Sequence, residues 1–152
     1  MKYSNIYAAQ AKLDNLFDQA KGLPADPEMR SHWAKYLCVL VSGYLETTIS
    51  TILVNYLTRK AHPNIVNWIS AELEGFINPN MTKTLDLVGH FNETWGAELE
   101  RESLELKDSI DSIYALRNRI AHGEDTVLTM NRMLEYYKQA KKLVSIVDGL
   151  CV

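Results

Sequence analysis

Apolar side chains recur every three or four residues along most of this chain, which is the spacing of amphipathic α-helices. One such run stops at residues 22–24, Gly-Leu-Pro, which end a helix. A second run begins after Asp26, whose side chain can cap a helix that opens with proline. It extends to about Lys60, where His62-Pro63 forces a break. The first 60 residues therefore predict one short helix and one long helix.

The rest of the chain divides into an irregular segment and a second regular part. Glycine and asparagine interrupt residues 63–101, which predict a short helix that ends near Gly75 and a second one that starts at Asn78-Pro79 and has no clear end. The helical spacing resumes at Glu102 and stops at Gly123, a good residue to end a helix, and a last helix begins near Thr129. No strand-like alternation occurs. We therefore expect an all-α bundle of about five helices, two long helices plus a C-terminal helical hairpin, in a single domain over 1–152.

Composition limits the classes of function. The 152 residues are 47% hydrophobic and 23% charged, with a net charge of −3, so a broad basic surface for duplex nucleic acid is not expected. Cys38 and Cys151 have no metal-type spacing and are too few for a disulfide framework. We find no signal peptide and no uninterrupted apolar stretch of membrane-spanning length. A cytoplasmic protein that is not inserted in a membrane is the expectation.

The candidate chemistry lies at the end of the helix that begins at Glu102. There the sequence reads Arg117-Asn118-Arg119-Ile120-Ala121-His122, followed by glycine. A guanidinium binds phosphate oxygens as a fork, and an imidazole can exchange protons near neutral pH. This combination is typical of a site that holds a phosphate and moves protons.

Helical geometry constrains how these side chains can cooperate. Asn118 and His122 are four residues apart and so lie on one face, where the amide can steady the imidazole or contact a substrate. Arg117 lies about 140° round the helix from His122 at about 100° per residue, too far to converge easily on one small atom. The helix could unwind at His122, or a second copy of it could supply the missing angle. Both remain open.

The run resembles the signature of the HEPN superfamily, which is Arg, a polar residue, three variable residues and His. Arg117, Asn118 and His122 fill all three positions. The resemblance implies a homodimer with facing signature helices, and a toxin or antiviral or stress effector that cleaves single-stranded RNA without metal or cofactor. In that reaction the ribose 2′-hydroxyl attacks phosphorus, Arg117 clamps the phosphate, Asn118 positions it and His122 transfers a proton. An antitoxin or defence-system partner is also implied.

Three further residues are candidates for a supporting or RNA-binding role: Arg119, Ser42 and Glu46. Ser42 and Glu46 interrupt the apolar face of the long second helix, and Glu46 can face the Arg117 region. The alternative is a close helix crossing at Gly43 with Glu46 at the surface. In one toxin subgroup of the family a tyrosine two residues after the His is modified, but Glu124 occupies that position here, which disfavours that form of regulation.

Two alternatives to a nuclease remain. The same cleft in a HEPN protein can be a non-catalytic module that binds RNA, a nucleotide or a protein partner. The motif can also be coincidental, with His122 ending a helix and both arginines solvated or paired with Glu124 and Asp125. The intact set of Arg117, Asn118 and His122 favours the nuclease, because a purely structural protein has no evident need for all three.

Overall fold

The computed structural model describes residues 4–152, which fold into α-helices with no strand among them. The all-α class is therefore confirmed. These residues form seven helices rather than about five, because the irregular segment 63–101 contains three of them. The helices are α1 Ser4–Lys21, α2 Pro27–Lys60, α3 Pro63–Leu73, α4 Met81–Phe91, α5 Glu93–Glu100, α6 Leu104–Ala121 and α7 Met130–Leu150.

The bounds of the long helix α2 follow from local chemistry at its two ends. The Asp26 side chain accepts a hydrogen bond from the Glu28 backbone N–H at 3.1 Å, and proline occupies the first helical position. At the other end the Ala61 N–H still bonds to the Leu57 carbonyl at 2.8 Å, but the chain is already extended before Pro63. Both predicted ends of α2 are confirmed.

The segment that the sequence left irregular is held by asparagine caps. Asn80 accepts from the Lys83 N–H at 3.0 Å at the start of α4. Asn92 ends α4 and also begins α5, where its side chain accepts from the N–H of Thr94 at 2.9 Å. The two helices pack closely at Gly96, since a Cβ added there would lie 2.8 Å from the backbone of α4.

Helix α2 is the centre of the fold, packed against α1, α6 and α7. Its inward side chains are fully buried, among them Leu37, Cys38, Val41 and Leu53. The buried residues of all these helices join in a single cluster. The site helix α6 therefore packs on the central helix of the fold.

One property of α2 bears on membrane insertion. By length and composition it could cross a membrane, since an 18-residue window has a mean hydropathy of 1.7. This is weak evidence, because the core helix of a soluble protein passes the same test. Here 56% of that window is buried inside the fold, as in a core helix.

Candidate functional site

The helix that carries the signature ends at a well-defined place. Gly123 adopts a left-handed conformation with φ of +71°, which glycine tolerates without strain. Its N–H bonds to the Ile120 carbonyl at 3.1 Å, and the Glu124 N–H bonds to the Arg119 carbonyl at 3.0 Å. This pair of bonds is a Schellman motif, and it makes His122 the capping residue. Arg117 and His122 could converge if the helix unwound at His122 or if a second copy of the helix supplied one of them. The helix does end at His122.

The signature side chains differ in what surrounds them. Arg117 is half-buried, and its guanidinium lies 3.4 Å from the side-chain oxygen of Asn118. His122 is exposed, and its imidazole makes no hydrogen bond to a described residue. Within residues 4–152 no carboxylate lies within ion-pair distance of Arg117. The amide therefore contacts the arginine rather than the imidazole, and the guanidinium remains available to an anion.

Tyr114 links the signature helix to α2, and sequence reasoning did not identify it. Its hydroxyl donates to the Ser42 carbonyl at 3.0 Å. Burial raises the pKa of Tyr114, the nearby Glu46 carboxylate raises it further, and the Arg117 guanidinium lowers it. The Glu46 and Arg117 charges are thus both close enough to the Tyr114 hydroxyl to shift its pKa. A tyrosine one turn before the arginine and four residues after the apolar Ile110 was the available signal.

The two candidates on α2 have mainly structural partners. The Ser42 hydroxyl donates to the Val39 carbonyl at 2.7 Å in its own helix. Glu46 accepts from the Asn78 N–H at 3.2 Å and so fixes the loop before α4. Glu46 and Arg117 both lie near Tyr114, but they form no ion pair with each other. The close crossing considered at Gly43 is absent, because an added Cβ there would meet nothing within 4 Å.

Arg119 lies on another side of α6 from Arg117. It lines a cleft between α6 and the start of α7, together with Arg132 and Tyr136. The considered ion pairs with Glu124 and Asp125 are not formed by either arginine of the signature run. The structure thus brings Arg117 together with Asn118 but separates Arg119 from them.

The described residues do not form a metal site. They contain no group of three or more His, Cys, Asp or Glu side chains that could hold a metal ion. The functional groups that the structure does bring to this end of α6 are guanidinium, amide and imidazole. Those groups can bind a phosphate, orient it and exchange a proton with it.

Comparison with known proteins places this arrangement in a family. The family model described as RiboL-PSP-HEPN matches residues 4–152, nearly the whole chain. No curated protein and no solved structure gives a significant match. The match agrees with the all-helical fold. The chain belongs to the RiboL-PSP-HEPN family of the HEPN superfamily.

Proposed function

We propose that this protein is a metal-independent endoribonuclease that cleaves single-stranded RNA. The observation that carries the proposal is the Arg117 guanidinium, which contacts the side-chain oxygen of Asn118 and is unpaired with any described carboxylate. An arginine held in this way is ready to bind a phosphodiester as a fork. The exposed imidazole of His122 follows at the fixed end of the same helix. Membership of a superfamily that includes ribonucleases supports the proposal further.

The reaction needs few protein groups, because RNA carries its own nucleophile. The ribose 2′-oxygen loses a proton and bonds to phosphorus, while the bond from phosphorus to the 5′-oxygen breaks and that oxygen gains a proton. The products are a 2′,3′-cyclic phosphate and a 5′-hydroxyl. His122 exchanges one of these protons, Arg117 stabilises the charge that develops on the phosphoryl oxygens, and Asn118 positions the group.

We propose that the active form is a homodimer. His122 lies at the capping position, yet its side chain and that of Arg117 still leave the helix in different directions. A second copy, related by a two-fold axis, would let Arg117 of one chain meet His122 of the other. It would also place four or more cationic groups in one groove on a chain whose net charge is −3.

Cleavage can be tested directly. We would incubate the purified protein in EDTA with a 5′-labelled single-stranded RNA, and in parallel with the same oligonucleotide lacking every 2′-hydroxyl. We expect fragments from the RNA alone, each ending in a 2′,3′-cyclic phosphate. Cleavage of the deoxy oligonucleotide, 3′-hydroxyl ends, or a requirement for added metal would contradict the mechanism.

The composite site has a sharper test in subunit mixing. Arg117→Ala and His122→Ala are each expected to be inactive alone. If one site draws these residues from two chains, a mixed dimer keeps one intact site, so an equal mixture should regain about a quarter of wild-type activity. If both residues come from one chain, no mixed dimer has an intact site and the mixture stays inactive. Light scattering would confirm that the variants still dimerise.

One observation favours a second candidate, a binding module without catalysis. The imidazole of His122 has no described hydrogen-bond partner, so nothing within a single chain fixes its orientation. Binding of RNA, a nucleotide or a protein would need only the arginines. Under either candidate we propose a cytoplasmic toxin or antiviral or stress effector, in which an antitoxin or defence-system partner would control access to Arg117.

A further inference from the structure

The cleft between α6 and α7 is a second place suited to a nucleotide. It encloses about 440 Å³, and its polar lining includes Arg119, Arg132, Tyr136 and Ser112. Apolar side chains such as Leu128 complete the wall. The cleft thus offers two guanidiniums, a hydroxyl and an aromatic ring beside each other, which are the groups that bind a phosphate and stack against a base.

The charge of this cleft differs from that of the whole chain. No carboxylate lines it, although the net charge of the protein is −3. Arg119 has no ion-pair partner in the described part of the chain. Arg132 pairs with Glu135 at 3.1 Å, but both side chains are more than half exposed. Exposed pairs of this kind contribute little to stability, so a phosphate could replace the carboxylate at small cost.

The position of the cleft relates it to the signature. In an ideal helix Arg119 lies about 200° from Arg117, whereas His122 lies between them and only one turn from Arg119. The two arginines therefore flank the imidazole on opposite sides of the helix end. An RNA strand that crosses the C-terminal end of α6 can contact Arg117 on one side and the α6–α7 cleft on the other.

We propose that the α6–α7 cleft binds a neighbouring nucleotide of the same RNA strand, beside the phosphate that is cleaved. Its phosphate lies between Arg119 and Arg132, and its base packs on the ring of Tyr136. The inference rests on the proposed ribonuclease function. It adds a specificity site to that function, because a base in the cleft is selected by stacking and by the Ser112 hydroxyl.

The test compares substrates of two lengths. A dinucleotide has only the phosphate that is cleaved, whereas a hexanucleotide can also fill the cleft. For Arg119→Ala and for Arg132→Ala, KM for the hexanucleotide should rise about tenfold more than KM for the dinucleotide. The matched control is Arg101→Ala, an exposed arginine before the opposite end of α6, which should behave as wild type on both substrates.

Binding measurements separate failure of this inference from failure of the proposed function. If the wild type cleaves neither substrate, the nuclease is refuted, but the cleft is still tested by fluorescence anisotropy with the hexanucleotide. Each arginine variant should reduce the slope of log affinity against log salt by about 0.7, the value for one phosphate on a single strand. An unchanged slope overturns the cleft, as does an equal effect on both lengths. If the arginine variants lost binding of free adenosine monophosphate but bound RNA as the wild type does, the cleft would be a mononucleotide site. This result would also overturn the proposal.

Discussion

The two ends of α6 differ in how deeply their side chains are buried. Near its start, Leu106, Ile110 and Ile113 are fully buried against α2 and α7. Near its end, Asn118 and His122 are exposed to solvent. One helix thus separates the packing that stabilises the fold from the polar groups that can act on a ligand. Substitutions at the exposed end should change function without changing stability, and those at the buried end should do the reverse.

The largest expected effect is at the exposed end. His122→Ala should reduce RNA cleavage by about 10²–10⁴-fold, the usual contribution of a general acid or base. The unfolding temperature, measured by circular dichroism, should match the wild type because the side chain is exposed. The exposed His90 on α4 is the matched control, and His90→Ala should retain activity. Equal activity of the His122 variant and the wild type would refute its proposed role.

The next effect concerns the shape of the phosphate-binding group. Arg117→Ala should lower cleavage by about 10²–10³-fold, as removal of a donor that stabilises developing charge does. Arg117→Lys keeps the charge but loses the fork, so it should recover only part of the rate. Initial rates on one RNA substrate measure both. Full recovery with lysine would mean that charge alone matters, and that the Asn118 contact is incidental.

At the buried end we expect the opposite behaviour. Leu106→Ala removes a fully buried side chain about 24 Å along the helix from His122, and it should lower the free energy of unfolding by about 2–5 kcal/mol. Urea titration followed by circular dichroism measures the loss. The rate per folded molecule should stay near the wild-type value. A large loss of rate in fully folded protein would show that the two ends are coupled.

The smallest effect lies at the boundary between the two ends. Tyr114→Phe removes the hydrogen bond to the Ser42 carbonyl and should lower the free energy of unfolding by about 0.5–1.5 kcal/mol. Because this contact fixes α6 against α2 beside Arg117, we also expect a loss of cleavage of less than tenfold. Tyr36→Phe, at an exposed tyrosine of α2, is the control and should alter neither quantity.

The features that the sequence predicted well are those set by nearby residues. Asp26 before a proline and His62 before another proline fix the ends of α2 locally. The signature at Arg117–His122 was found for the same reason, since its spacing lies within one helix. The class of fold followed from the helical spacing of apolar residues.

The remaining features depend on contacts between distant parts of the chain or on one residue with two roles. Asn92 ends one helix and begins the next, so no turn sequence separates α4 from α5. Tyr114 meets Ser42 only because α6 packs on α2, 72 residues earlier. The cleft at Arg119 needs Arg132 from α7. Neither the Tyr114 contact nor the cleft is contained in a short window of sequence.

The order of the helices along the chain has a consequence for synthesis. The central helix α2 is completed at Lys60, but α7, against which it packs, ends 90 residues later at Leu150. At about 5–20 residues per second, the ribosome needs roughly 5–18 seconds for that interval. Until α6 and α7 have been made, α2 has only α1 and α3 to cover its apolar surface. The nascent chain is therefore a target for chaperones, and the signature helix α6 can pack on α2 only after residue 121 has been made.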